Sequence, residues 1–202
     1  MSNVVVVFDL GGVLVDWNPR HLYRKVFNGD DVAMEHFLQN VCTQDWNVQM
    51  DAGKPFAEGI AELASRFPEY EEYIRLYHSR WPEMVSGAIG GTVDILSEIK
   101  ERGFRVYALS NWSAETFPLV KSKFEFLNWF EHIVLSGEEG VVKPSAEIYN
   151  ILLRHAGCEA GQCLFIDDSE VNVKAADALG FQALRFTSSK ELRRALITRG
   201  IL

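Results

Sequence analysis

The chain has 202 residues, of which 48% are hydrophobic, 24% charged and 12% aromatic, the composition of an ordinary globular protein. Twenty basic and 28 acidic side chains give a net charge of −8. This balance argues against nonspecific binding to nucleic acid or to an anionic membrane, because such surfaces require clustered Lys and Arg. Three cysteines without a CxxC pair, and no apolar run of the ~18 residues that a membrane span needs, indicate a cytoplasmic protein.

The first predicted element is a strand at residues 4–8, a run of valines with an aromatic end that stops at Asp9. A continuous apolar run, as opposed to an alternating one, is typical of a central strand that is covered on both faces. Residues 17–86 contain no convincing strand, and proline and glycine punctuate their helical stretches. The predicted helices of this segment cover residues 20–27, 31–41, 56–66 and 71–81.

Strands and helices alternate in the rest of the chain. The predicted strands cover residues 104–109, 132–135, 162–166 and 181–186, and the predicted helices cover 92–101, 145–155, 170–179 and 189–197. Alternation with short connections predicts an α/β fold, a doubly wound, Rossmann-like parallel sheet. We therefore expect an α/β core formed by residues 1–16 and 87–202, and a small inserted helical cap formed by residues 17–86.

Polar residues follow the ends of the predicted strands, where open parallel sheets bind their ligands. These residues are Asp9, Ser110 with Asn111, Lys143 and the pair Asp167 and Asp168. Taken singly, Asp9 could form a turn, Ser110 could cap a helix and Lys143 could be a solvated loop residue. Two adjacent carboxylates at the end of a buried strand repel each other unless a positive charge neutralises them. Their occurrence together, at successive strand ends, indicates a site.

The chemistry that such a group supports is phosphoryl transfer through a carboxylate. Asp9 would attack phosphorus and form an aspartyl-phosphate, and Lys143 would screen the negative charges. Carboxylate oxygens suit Mg²⁺, which neutralises a transferring phosphoryl group. Ser110 and the backbone N–H groups of Asn111 and Trp112 would bind the phosphate oxygens.

Four short motifs, in this order, resemble those of the haloacid dehalogenase-like hydrolase superfamily. They are FDLGGVLVD, LSN, KP and FIDDSEVN, and they extend over the core from about residue 4 to residue 185. The helical insertion resembles the small helical cap of that superfamily. The opening DLGGVLVDWNPR further resembles the branch of small sugar-phosphate phosphatases that carry such a cap.

The resemblance implies a role for each motif residue. Asp9 would be the nucleophile, and Ser110 and Lys143 would bind phosphate. The implied Mg²⁺ ion would be held by Asp9, the backbone carbonyl of Gly11, Asp168 and, through water, Asp167. Asn172 lies four residues after Asp168, on the same helical face, and could orient the ligands of the metal.

The sequence departs from the family pattern at Gly11. Phosphatases of the superfamily usually carry a second aspartate two residues after the nucleophile, where it protonates the leaving oxygen and later activates water. Loss of a general acid costs on the order of 10²–10⁴ in rate. The enzyme could therefore be slow, could favour a good leaving group or could use another residue.

Two further carboxylates, Asp16 and Asp51, are candidates for separate roles. Asp16 is a candidate substitute for the missing acid, although a turn residue before a helix is the alternative. The stretch 45–53 resembles the loop by which helical caps reach toward the substrate, with Asp51 and Gly53 at its turn. The alternative for this stretch is a plain connection between helices.

The leading functional prediction is a Mg²⁺-dependent phosphatase of a small phosphorylated metabolite, such as a sugar phosphate, that acts through an aspartyl-phosphate. One alternative is a 2-haloacid dehalogenase in which Asp9 attacks carbon, although such enzymes need no metal and carry Ser-Ser-Asn in the fourth motif. Another is a catalytically weakened protein that binds a phosphorylated ligand, suggested by Gly11. The sequence leaves the identity of the substrate and the oligomeric state open.

Overall fold

The computed structural model describes residues 4–202. Its strands within this range are β1 (Val5–Phe8), β2 (Val15–Trp17), β3 (Val85–Ala88), β4 (Arg105–Ser110), β5 (His132–Leu135), β6 (Cys163–Asp167) and β7 (Gln182–Arg185). Five of them form one sheet in the order β5-β4-β1-β6-β7, and every pair in it is parallel. The predicted doubly wound parallel sheet is thus confirmed.

The helices in the same range are α1 (Arg20–Val26), α2 (Asp31–Asn40), α3 (Gln44–Asp51), α4 (Phe56–Arg66), α5 (Glu71–Ser79), α6 (Gly90–Glu101), α7 (Pro118–Lys121), α8 (Ser136–Glu139), α9 (Ala146–Ala156), α10 (Glu170–Ala178) and α11 (Ser189–Thr198). Short 3₁₀ helices cover Pro68–Tyr70, Trp81–Met84, Glu125–Trp129 and Ala160–Gln162. Across residues 4–202, none of the helices is long and apolar enough to cross a bilayer.

The central strand β1 is buried on both faces, which explains its uninterrupted apolar sequence. Val6 and Phe8 belong to a core cluster that includes side chains of α6 and α11, whereas Val5 and Val7 belong to a second cluster with α9 and α10. Phe8 is in register with Ala108 of β4 and with Ile166 of β6. The carboxyl ends of these three strands therefore lie side by side, and the residues that follow them meet.

The helices α1 to α5 lie between β2 and β3, which pair antiparallel in a separate two-stranded sheet. Asp16 is in register with Gly87, close to the boundaries predicted for the cap at residues 17 and 86. Neither strand was predicted, because each has only three or four residues and β3 has the sequence VSGA. Their pairing with each other, and not their apolar pattern, makes them strands.

The stretch 45–53 was predicted to be a loop, but most of it is helix α3. Thr43 caps this helix, since its hydroxyl accepts a hydrogen bond from the Trp46 N–H at 3.1 Å. The Trp46 indole donates to the Gly59 carbonyl at 3.1 Å, and Met50 is fully buried. Because α3 is rich in polar residues, its sequence does not indicate a helix. Packing against α4 stabilises it. Gly53, with φ +97°, makes the turn that follows it.

Candidate active site

Three carboxylates meet at the carboxyl edge of the parallel sheet. Asp9 follows β1, Asp167 is the last residue of β6, and Asp168 comes next in the chain. A carboxylate oxygen from each lies within 4.8 Å of those of the other two. Asp9 and Asp167 are buried, whereas Asp168 is exposed. The topology thus brings together the acidic residues that the sequence placed at separate strand ends.

The Lys143 ammonium lies between two of these carboxylates. Its Nζ is 3.0 Å from Asp9 Oδ1 and 2.6 Å from Asp167 Oδ2, and it also donates to the Leu109 carbonyl at 2.9 Å. Burial alone would lower the pKa of Lys143, but the charges of Asp9 and Asp167 outweigh it and raise the pKa. The lysine is therefore held as a cation that contacts the candidate nucleophile.

Asn111 fixes the main chain of Lys143. The Lys143 N–H donates to Asn111 Oδ1 at 2.8 Å, and Asn111 Nδ2 donates to the Lys143 carbonyl at 3.0 Å. The side chain of Asn111 thus positions the lysine across 32 residues of sequence. Ser110 precedes it as the buried last residue of β4. The predicted phosphate-binding roles of Ser110 and Asn111 remain predictions.

Asn172 of α10 orients Asp167. Its Nδ2 lies 3.2 and 3.1 Å from the two carboxylate oxygens of Asp167, and the Ser169 N–H donates to Oδ1 at 2.8 Å. Together with Lys143, these donors fix the Asp167 carboxylate from several sides. The helical spacing predicted that Asn172 would face this site, and the structure shows which acid it holds.

The site carries more negative than positive charge. Three carboxylates, set against the single ammonium of Lys143, leave an excess of two negative charges when all are ionised. Burial, with the nearby charges of Asp167 and Asp168, raises the pKa of Asp9 to about 7 despite the lysine. Although Asp168 as a residue is exposed, partial desolvation of its carboxylate, with the charge of Asp167, raises its pKa as well. A divalent cation with a preference for oxygen ligands, such as Mg²⁺, fits this donor set.

Two adjacent glycines near these carboxylates differ in the space available for a side chain. Gly12 has φ +74°, and a Cβ atom on it would lie 2.4 Å from Asp168 Oδ2, so only glycine fits there. At Gly11 a Cβ atom would meet nothing within 4 Å. The position at which related phosphatases usually carry the second aspartate therefore faces open space in this chain.

On the cap side, Asp51 at the end of α3 reaches the core. Its Oδ1 accepts a hydrogen bond from the Ser113 N–H at 3.1 Å, and its Oδ2 accepts one from Asn47 Nδ2 at 2.8 Å. The Tyr77 hydroxyl donates to Asn47 Oδ1 at 3.0 Å. Burial, with a smaller contribution from the charge of Asp9, raises the pKa of Asp51 to about 7. No pattern in the sequence indicated this network.

Ser136 makes a second bridge between cap and core. Its hydroxyl donates to the Asp51 carbonyl at 2.5 Å and accepts from the Trp112 N–H at 2.9 Å. The prediction that the Trp112 N–H binds phosphate is wrong, because this N–H already donates to the Ser136 hydroxyl. The bridge also fixes the backbone just beyond Asn111.

Asp16, which the sequence offered as the substitute for the missing acid, lies in β2 and is held between β2 and β3. It accepts a hydrogen bond from the Ser86 hydroxyl, and His21 Nε2 lies 3.2 Å from its Oδ1. The bond from Ser86, with a smaller contribution from His21, lowers the pKa of Asp16. A group that holds its negative charge in this way is a poor proton donor.

Comparison with known proteins shows that the chain is similar to hydrolases. Residues 4–180 match the model of one family, the haloacid dehalogenase-like hydrolases. The chain is 23% identical over 203 residues to a D-ribitol-5-phosphate phosphatase from Bacteroides thetaiotaomicron, covering 95% of each chain. It is also 26% identical over 189 residues to a sesquiterpene phosphatase from Aspergillus oryzae, covering 91% of this chain and 89% of that protein.

A solved structure shares the architecture over most of the chain. It is a haloacid dehalogenase-like family enzyme from Bacteroides thetaiotaomicron in complex with magnesium and inorganic phosphate. The TM-score is 0.69 at 25% sequence identity, and the alignment covers 92% of this chain and 94% of the other.

Proposed function

The chain belongs to the haloacid dehalogenase-like hydrolase family, and we propose that it is a Mg²⁺-dependent phosphatase of a small phosphorylated metabolite that acts through an aspartyl-phosphate. One observation carries the proposal. A buried lysine bridges Asp9 and Asp167 at 3.0 and 2.6 Å, and Asp168 adds a third carboxylate within 4.8 Å. This arrangement suits an anionic nucleophile that must approach an anionic phosphate.

In the proposed reaction, an Asp9 carboxylate oxygen attacks phosphorus while the bond from phosphorus to the ester oxygen breaks. Lys143, in contact with Asp9, offsets the negative charge of the nucleophile and of the transferring phosphoryl group. Ser110, at the end of the neighbouring strand β4, would donate its hydroxyl proton to a phosphate oxygen. Water then attacks phosphorus, which releases inorganic phosphate and restores the Asp9 carboxylate.

The residues that would hold Mg²⁺ are Asp9, the Gly11 carbonyl, Asp168 and, through water, Asp167. When bound, the ion would neutralise the two excess negative charges and polarise a phosphoryl oxygen. It would also favour the ionised form of Asp9, whose pKa is otherwise raised to about 7. The complex of a relative with magnesium and phosphate supports this choice of metal.

The proposed substrates are phosphate esters of sugars or of polyols. Support comes from the D-ribitol-5-phosphate phosphatase, which the chain matches along 95% of both lengths. Asp51 brings a polar group of the cap to the loop that follows β4. A polar group at this position is better suited to a hydroxylated substrate than to an apolar one.

The proposal is tested by incubating the purified protein with a panel of sugar and polyol phosphates, with Mg²⁺ and with EDTA, and measuring phosphate release. We expect release that requires Mg²⁺ and that falls by at least ~10³ in Asp9→Asn, because the nucleophile is lost. The matched control is Asp177→Asn, which changes an exposed carboxylate on α10 and should keep full activity. Undiminished release in EDTA or in Asp9→Asn would overturn the mechanism.

The same preparation tests the two alternatives. A 2-haloacid dehalogenase would release chloride from 2-chloropropionate without a metal, and we expect no release. A protein that only binds phosphorylated ligands would hydrolyse no ester of the panel in the presence of Mg²⁺. The carboxylates Asp167 and Asp168 argue against the dehalogenase, because a metal-free attack on carbon has no use for two further negative charges beside Asp9.

A further inference from the structure

We propose that Asp51 is the catalytic acid and base of this enzyme, in place of the side chain that is missing at Gly11. The inference rests on the proposed phosphatase function and adds a residue to it. Asp51 would protonate the leaving oxygen of the ester and would then take a proton from the attacking water. The acid would thus come from the cap and not from the strand end that carries the nucleophile.

The first support is the position of Asp51. Its carboxylate accepts a hydrogen bond from the Ser113 N–H, three residues after Ser110, and its backbone carbonyl is bound by Ser136 of α8. Asp51 therefore lies where the cap meets the loop that follows β4. It is also near enough to Asp9 for the charge of Asp9 to influence its ionisation. A leaving group bonded to phosphorus at Asp9 would extend from the sheet edge toward the cap.

The second support is the bonding of the carboxyl group. One oxygen accepts from the Ser113 N–H and the other from Asn47 Nδ2. A carboxyl oxygen has two lone pairs, so either oxygen could carry a proton while keeping its present partner. None of the Lys and Arg side chains between residues 4 and 202 forms an ion pair with Asp51. Burial without a cationic partner outweighs the hydrogen bond from Ser113 and raises the pKa of Asp51 to about 7, so the carboxyl group readily gains a proton.

The third support is the elimination of the nearer alternatives. Gly11 has no side chain, and the space above it is open. Asp16 is held as an anion by Ser86 and His21. Asp167 is bound by Lys143, Ser169 and Asn172 and belongs to the candidate metal site.

The proposed steps balance in protons and electrons. As the Asp9 oxygen bonds to phosphorus, the ester P–O bond breaks and its electron pair stays on the leaving oxygen. That oxygen receives the proton of the Asp51 carboxyl and leaves as an alcohol. In the second step, water bonds to phosphorus and gives a proton to the Asp51 carboxylate, while the bond between phosphorus and Asp9 breaks. Inorganic phosphate leaves, and both residues return to their starting states.

The test compares two esters in Asp51→Asn, with Mg²⁺ present. Ribitol 5-phosphate has an alkoxide leaving group that needs a proton, whereas p-nitrophenyl phosphate releases a stable anion that does not. We expect kcat/KM for ribitol 5-phosphate to fall by about 10²–10⁴ and kcat/KM for p-nitrophenyl phosphate to change by less than about tenfold. If the water-activating base is also lost, p-nitrophenolate should appear in a burst of one equivalent per enzyme.

A matched control variant distinguishes a catalytic role of Asp51 from a structural one. Tyr77→Phe removes the hydroxyl that donates to Asn47 and so loosens the same network without touching the carboxyl group. It should lower kcat/KM for both esters by the same factor. An equal loss for both esters in Asp51→Asn would make Asp51 structural and would overturn the proposal.

A second experiment tests whether an aspartate at position 11 restores the activity that is lost in Asp51→Asn. Gly11 does not have a positive φ, and a Cβ there meets nothing within 4 Å, so aspartate fits at this position. The double variant Gly11→Asp/Asp51→Asn should regain at least tenfold of the lost kcat/KM for ribitol 5-phosphate, and no gain would count against the proposal. If Asp51→Asn does not fold, Asp51→Ser carries the same expectations. Failure of the wild-type protein to hydrolyse either ester would instead overturn the proposed function itself.

Discussion

Lys143 and Asp167 form an ion pair at 2.6 Å in which the two side chains are only 1% and 0% exposed. Burying two charges is costly, and the cost is recovered only if each charge keeps its partner. The pair therefore links the loop before α9 to the end of β6, and it is also part of the candidate site. Its removal should affect stability and chemistry together.

The first prediction concerns this pair. Lys143→Met should lower the free energy of unfolding by about 3–5 kcal/mol, because it leaves Asp167 buried without its cation. Urea denaturation followed by circular dichroism measures the change. Lys174→Met is the control, since Lys174 forms a pair with Glu170 on the exposed face of α10 and should change stability by less than about 1 kcal/mol. A loss in Lys143→Met no larger than in this control would contradict the assignment.

The second prediction concerns the pH dependence of stability that Asp51 produces. Its folded-state pKa is about 7 against an ordinary value of 3.8, so between these values the folded state holds a proton that the unfolded state has lost. Stability conferred by that proton therefore declines as pH rises from about 4 to about 7, by up to about 1.4 kcal/mol per pH unit. Asp51→Asn should remove this decline.

The measurement is the free energy of unfolding at several pH values, with EDTA present. The other groups that affect Asp51 are Asp9 and, through Asn47, Tyr77. Burial raises the pKa of Tyr77 well above its usual range, so it stays protonated. Asp9 titrates over the same interval, and both proteins should therefore carry Asp9→Asn. Parallel stability curves for the two would refute the prediction.

The third prediction concerns the metal. Isothermal titration of the metal-free protein with Mg²⁺ should show one site, and Asp168→Asn should weaken binding at least tenfold because it removes a charged ligand. Asp177→Asn, nine residues further along the chain and exposed, should bind as the wild type does. Equal affinity in the two variants would place the ion elsewhere.

The fourth prediction contrasts two neighbouring glycines. Gly12→Ala should lower the free energy of unfolding by about 1–3 kcal/mol because of its positive φ, and it should weaken Mg²⁺ binding since its Cβ would displace the Asp168 carboxylate. Gly11→Ala, with open space around its Cβ, should fold and bind Mg²⁺ normally. Thermal unfolding with and without Mg²⁺ distinguishes the pair, and similar behaviour of the two variants would contradict the geometry.

The central strands of the core were predictable from the sequence because they are buried on both faces. The valines of β1 form an uninterrupted apolar run, and Asp9 and Asp167 follow directly at the ends of β1 and β6, where the parallel sheet brings them together. Strand-end position was sufficient to group these two carboxylates, whereas Lys143 lies eight residues after β5 ends at Leu135. The strands β2 and β3 were not predictable, since two short segments nearly 70 residues apart are stabilised by pairing with each other, which the sequence of neither segment indicates.

The contacts between the cap and the core could not be predicted from sequence patterns either. Asp51 is an ordinary polar residue near the end of a polar helix, and only its contact with the Ser113 N–H gives it significance. Ser136 likewise binds groups 85 and 24 residues away. Periodicity describes neighbours along the chain, and it carries no information on which distant loop a helix end will meet.

The pairing of β2 with β3 has a consequence for how such proteins diversify. Because Asp16 stands opposite Gly87, the polypeptide leaves the sheet domain and returns to it at nearly the same point. Whatever lies between these two residues can be lengthened, shortened or exchanged without moving the ends of the parallel strands. The paired strands thus form an attachment point at which a different insertion could give the same phosphoryl chemistry a new choice of substrate, provided that it supplies a carboxyl group in the place of Asp51.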